Sequence, residues 1–144
     1  MAGPFARILS VLTLISLFAA PPAAAGDNSN AAPEVRALIE RQLDAFARDD
    51  AAGAYALAAP RIKIMFPSAD FFIAMVRDKY APVYRHRSVE FGAAHDDGDL
   101  VTQVLTLVDG DNQVWKALYE LARQPDGTWL ITGCVLIRST DTST

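Results

Sequence analysis

VTQVLTLVDGDNQVWKALYELARQPDGTWLITGCVLIR, residues 101–138, is the stretch that decides the fold. Apolar residues alternate with polar ones through Val101 to Val108, Gln113 to Ala122 and Trp129 to Arg138, the period of half-buried strands. The links DGDN (Asp109 to Asn112) and PDG (Pro125 to Gly127) are hairpin signals, so consecutive strands should pair antiparallel. A fourth strand is expected upstream at Val83 to Phe91, joined through DDGD (Asp96 to Asp99). Asp109, Asp111 and Asn112 lack the later ligands and the closing Glu of a calcium loop, and are read as a turn.

Before Pro82 the period is helical. Val35, Leu38, Ile39, Leu43 and Phe46 recur on one side of a helix expected from Pro33 to Arg48. At 100° per residue Gln42 falls inside that stripe and Asp49 at its edge. A short helix should follow from Ala51 to Ala58, with Asp49 or Asp50 as N-cap and Pro60 as stop. RIKIMF (Arg61 to Phe66) is an apolar connection of undecided class. Ser68 should cap a third helix, Ala69 to Tyr80. Three helices before a four-stranded antiparallel meander make an α+β layer architecture.

The first residues read as a targeting segment. Arg7 is a positive n-region, Ile8 to Ala20 an uncharged run shorter than the roughly 20 residues a spanning helix needs, and Ala23 to Ala25 an A-x-A site. Residues 1–25 are thus expected to be a cleaved signal peptide, an uncleaved anchor being the alternative and the only route to membrane attachment. Residues 26–32 follow as a polar tether, 33–138 as the domain and 139–144 as a disordered tail. The protein is expected to be exported, periplasmic or secreted.

Composition narrows the function classes. With 144 residues and 51% hydrophobic content the chain is one domain and not a disordered one. A net charge of −4 with both signs interleaved gives nucleic acid no field to follow. The single Cys134 excludes an internal disulfide, and His86 and His95 have no partner at ligand spacing, so neither a metal nor a cofactor is expected.

RQLDAFARDDAAGAYALAAP, MFPS, FFIAMVRDKYAPVYRHRSVEFG and VWKALYELARQPDGTWLITGCVL, spread over Val35 to Leu136, resemble an exported alphaproteobacterial family defined only as a domain of unknown function, family 4864. Its Q-P-D-G-x-W and G-C-x-L tail is the distinctive part; His86 stands where the family pattern leads one to expect proline. The order of elements also resembles the nuclear transport factor two-like (NTF2-like), or SnoaL-like, superfamily. That likeness implies three helices packed in the concave face of a curved sheet, a cone, and often a homodimer through the outer sheet face. Superfamily members include isomerases, cyclases and dehydratases as well as non-catalytic binding domains, so the fold does not choose among functions.

On the residues themselves, Gln42 and Asp49 on the first helix and Trp115 and Tyr119 on the third strand are the candidates for one ligand pocket. Gln113, Trp115, Ala117, Tyr119 and Leu121 share a strand face, taken as the inner one, opposite Lys116 and Glu120. Each has a plainer alternative: a helix cap for Asp49, a core hydrogen bond for Gln42, core filling for Trp115 and Tyr119. Asp49 is the one plausible catalytic base, with Tyr119 its sole available partner. Arg85 and Arg87, expected on one strand face near Arg77 and Lys79, are candidates for an anionic group; a solvated charged face is the alternative. Tyr80 and Tyr84 could gate the mouth. Cys134, with Leu130, Thr132 and Leu136 on its face, is expected to be buried and inert.

These readings favour non-catalytic binding of a small apolar or amphipathic molecule, or of a protein partner, in the cell envelope. A cofactor-independent lyase or isomerase and a purely structural envelope module are the alternatives.

Overall fold

The computed structural model describes residues 33–140; the expected signal peptide (1–25), the tether (26–32) and the last four residues lie outside the described residues. Among the described residues five helices precede the sheet: α1 (Pro33–Ala47), α2 (Ala51–Ala56), α3 (Pro60–Met65), α4 (Ala69–Lys79) and α5 (Ala81–Tyr84). The strands are β1 (His86–Asp96), β2 (Leu100–Asp109), β3 (Val114–Arg123) and β4 (Trp129–Arg138). They form one open antiparallel sheet in the order β1-β2-β3-β4.

The α+β class and the hairpin meander therefore stand, while the helix count changes from three to five. RIKIMF belongs to α3, whose first residue is Pro60, a favourable N1 position because no amide is needed there. Val83 and Tyr84, expected at the start of a strand, are helical. Tyr84 N donates to Tyr80 O at 3.0 Å and Arg85 N to Ala81 O at 2.8 Å. Pro82, Val83 and Tyr84 are buried in succession, which a strand of period two does not do.

Val101, Leu105 and Leu107 of β2, Ala117, Tyr119 and Leu121 of β3 and Ile131 of β4 merge with Val35, Leu38, Ile39 and Phe46 of α1 into one buried cluster. Helices and one face of the sheet thus share a core. The inner face of β3 is as expected: Ala117, Tyr119 and Leu121 are buried, and Lys116 and Glu120 are exposed.

Both edge strands are bulged. In β1 the pairing slips between Phe91 and Ala94, and Gln103 fills the gap, its Nε2 donating to Gly92 O and Val104 O at 2.9 Å each. In β4 the slip lies opposite Glu120 and Leu121, leaving Thr132 as the extra residue between Ile131 and Gly133. Bulges twist an edge away from further pairing. Beside the β4 bulge, the α2–α3 link closes the edge: Ala59 N donates to Ile131 O at 2.7 Å and Ile131 N to Leu57 O at 2.9 Å. At the end of β4, Ser139 N donates to Val114 O at 2.9 Å, one residue past the strand.

Candidate functional site

Past the bridge at Ile131, the helices stand away from β4 and leave a cleft of about 360 Å³. Its helical wall is Phe46, Ile62, Met65, Phe66, Phe72, Met75 and Val76; its sheet wall is Tyr119 and Ile131 to Val135. Ring packing builds the helical wall: Phe72 meets Phe46 at 6.3 Å, Phe66 at 6.2 Å and Tyr55 at 5.6 Å between centroids. The Tyr80 hydroxyl donates to Cys134 O at 3.0 Å and ties α4 to the edge of β4. Met65, 60% exposed, and Val135, 55% exposed, stand at the rim.

The polar groups of the cleft are few and uncharged at its floor. Gln42 is 3% exposed, and its one side-chain hydrogen bond among the described residues, Nε2 to Ala54 O, is long at 3.4 Å. Tyr119 is 1% exposed, and burial together with the neighbouring Cys134 thiol raises its pKa well above the ordinary phenol value, with no hydrogen bond from the described residues to offset it. The Thr132 hydroxyl, on the bulge, is buried with no hydrogen-bond partner among the described residues. Among the described residues charge enters only at Arg61 and Glu120, both exposed. Glu120 belongs to the outer face, but its partner Gly133 has no side chain to cover it, and its carboxylate lies 3.7 Å from where a Cβ on Gly133 would stand.

Of the four expected pocket residues, Gln42 and Tyr119 line this cleft, and Asp49 and Trp115 do not. The reason for Asp49 is local. α1 ends at Ala47, and Asp49 takes φ +57°, the left-handed residue of a helix stop in which Asp50 N donates to Ala45 O at 2.8 Å and Asp49 N to Phe46 O at 3.1 Å. A helical wheel carried to position 49 therefore aims its side chain wrongly. The carboxylate accepts instead from Arg85 Nη2 at 2.7 Å, Arg77 Nη2 at 3.2 Å and the Tyr84 hydroxyl. The cap of α2 is Asp50, which accepts from Gly53 N at 2.8 Å. Trp115 sits four residues from Tyr119, about 13 Å along the strand. Its Nε1 donates to Asp109 Oδ2 at 2.7 Å.

Arg85 and Arg87 do not share a strand face. Arg85 terminates α5 and also donates to Phe46 O at 2.6 Å, whereas Arg87 is the extra residue of a slip between His86 and Ser88 and donates to Asn112 Oδ1. Asp109 Oδ1 accepts from Asp111 N and Gln113 N at 2.9 Å each, the geometry of a turn. Tyr80 borders the cleft, but Tyr84 turns to Asp49. Cys134 faces inward beside Tyr119, and burial pushes its thiol up to about 12, so it is almost wholly protonated at neutral pH. The bulge at Thr132 changes its expected companions: Leu136 shares its face, while Leu130 pairs with outward Ala122.

The Asp49 cluster joins the α1–α2 link to α4 and α5. Hydrogen bonds from Tyr84 and then Arg85 hold the Asp49 carboxyl below its ordinary value of 3.8. A lowered folded-state pKa means the interaction is present above 3.8 and lost as pH falls below it. Asp49→Asn, which tolerates the left-handed backbone, should therefore flatten the loss of urea resistance below that pH. The remaining acid slope belongs to groups such as Asp109 and Asp126, whose carboxyls are lowered too. An unchanged acid profile in Asp49→Asn would show the cluster to be energetically silent.

A sequence profile for a domain of unknown function, DUF4864, matches residues 28–144. The chain belongs to the DUF4864 family. That match covers every element of the fold and both walls of the cleft. No curated protein and no solved structure matches this DUF4864 chain.

The sequence reading named Thr132 only as a neighbour of Cys134 and not as a site residue, and it missed Tyr80's hook to Cys134 and the helical wall from α3. Only the Gly133-Cys134 pair next to Thr132 hinted at an irregular strand.

Proposed function

We propose that this protein is an exported domain, periplasmic or secreted, that binds a small apolar or amphipathic molecule in the cleft between α3, α4 and β4. The observation that carries the reading is a ring- and methionine-lined cleft of about 360 Å³ whose floor holds Gln42, Tyr119 and Thr132 with hydrogen-bonding capacity in reserve. Small-ligand sites have this character, apolar walls with a few placed polar groups, in volumes from about 300 Å³. The resemblance to NTF2-like cones, and the signal-like residues 1–25, support the same reading. The catalytic alternative draws no support from Asp49, which is held by two arginines and a tyrosine outside the cleft.

Native mass spectrometry of the protein taken from its own envelope fraction tests this. A mass excess lost on denaturation is expected, and Met75→Trp, which places an indole in the cleft, should remove it. Bare protein in both cases, with no gain of any added apolar molecule, would overturn the reading.

A second reading, docking of a partner or a second copy on the sheet, has one observation in its favour. Val104, Leu118 and Val135 lie side by side across the outer face, and Val135 and Ile137 are 55% and 50% exposed.

A further inference from the structure

Resting on the cleft as a ligand site, the balance of its polar groups also specifies the ligand's chemistry. The cleft of about 360 Å³ lies near the lower end of the range for small-molecule sites. We infer that it takes a small uncharged ligand, with an apolar body against the Phe46–Phe66–Phe72 wall and one neutral hydrogen-bonding group buried at Thr132 and Tyr119. Carboxylates and ammonium ions are rejected.

Three observations carry this. Tyr119 is 1% exposed, lines the cleft and spends its hydroxyl on no partner among the described residues. Thr132, which also lines the cleft, has its Oγ1 buried with no hydrogen-bond partner among the described residues. A buried donor without an acceptor is costly, so a ligand oxygen that accepts from Thr132, with the Tyr119 hydroxyl as a second donor on the cleft, recovers part of what the folded protein forgoes. Next, among the described residues no ionised group lines the floor. Gln42, Tyr119, Thr132 and Cys134 are neutral, so a charge brought there loses its water and meets no counter-charge. Finally, the two charges at the mouth, Arg61 and Glu120, have opposite signs and are exposed, so they favour neither an anion nor a cation.

Heteronuclear NMR titration of the mature protein with 1-octanol, octanoate and octylammonium at pH 7 provides the test, with toluene as a ligand lacking any hydrogen-bonding group. The chain length is equal across the first three, so they differ in the buried end alone. Octanol should shift the amides of Tyr119, Gly133 and Cys134 and bind at least tenfold more tightly than either ion. Tyr119→Phe should weaken octanol by roughly three- to tenfold, the worth of one hydrogen bond, and leave toluene unchanged. Equal loss for toluene would mean that Tyr119 acts through packing, and the inference fails. Octanoate or octylammonium binding as well as octanol would overturn the inference while leaving the cleft a ligand site. If neither octanol nor toluene moves any cleft amide, the binding reading itself falls.

Discussion

Phe46→Ala should cost the fold about 3–5 kcal/mol, the range for removing a buried aromatic side chain. Phe46 is 2% exposed at the last full turn of α1, where its ring meets Tyr84 at 5.7 Å and Phe72 at 6.3 Å. These neighbours come from α4 and α5, so one side chain joins three helices. Truncation loses the transfer energy of the ring and also merges its volume with the adjoining cleft. Phe46→Leu keeps most of the volume and should cost under about 1.5 kcal/mol. Urea unfolding of the two variants reads the difference directly. A loss below about 1 kcal/mol for Phe46→Ala would contradict the packing described for α1, α4 and α5.

Gln103→Leu should be the other large effect, about 2–4 kcal/mol, although it puts a hydrophobic residue at a site 2% exposed. Gln103 faces the core between Val101 and Leu105, where the strand pattern calls for an apolar side chain. Its amide is needed because β1 carries two residues, Gly92 and Ala93, opposite the one residue Val104. Regular pairing stops there, and Nε2 donates to Gly92 O and Val104 O in place of the ladder. Leucine leaves both carbonyls without that donor. Gln103→Glu should be worse at neutral pH, since a carboxylate can only accept and would face carbonyl oxygens. Its sign with pH follows from the same geometry. Burial raises the folded-state pKa of a Glu there above its unfolded value, so the variant should regain stability as pH falls and lose it as pH rises. Equal denaturant midpoints for wild type and Gln103→Leu would remove the bulge from the list of what holds β1 in place.

Side-chain alternation made the four strands legible, because a two-residue period and DGDN or PDG turns are local properties of the chain. β4 was expected at Trp129 to Arg138 and lies there. The inward direction of Gln42 and Tyr119 was legible for the same reason, each being inside a long periodic segment. Asp49 was not, since its direction depends on where α1 stops, and that is set by a left-handed residue whose neighbours Arg77 and Arg85 come from elsewhere in the chain. Arg85 and Arg87 were placed on one face by an alternation that α5 and a bulge at Arg87 interrupt. α3 escaped because six residues are too few for a helical period to show.

By itself the sequence determined the α+β class, the antiparallel meander and its hairpins, and membership of the DUF4864 family. Each rests on order and spacing, which survive without knowledge of any long-range contact. The tertiary structure alone decided that a cleft exists and what borders it. The bulge that leaves Thr132 unpaired, the bridge at Ile131 that closes only part of the β4 edge and the Tyr80 bond to Cys134 O all depend on residues brought together from distant positions. A site built where regular pairing fails has no period to announce it, because the failure is a relation between strands and helices and not a pattern within any one of them.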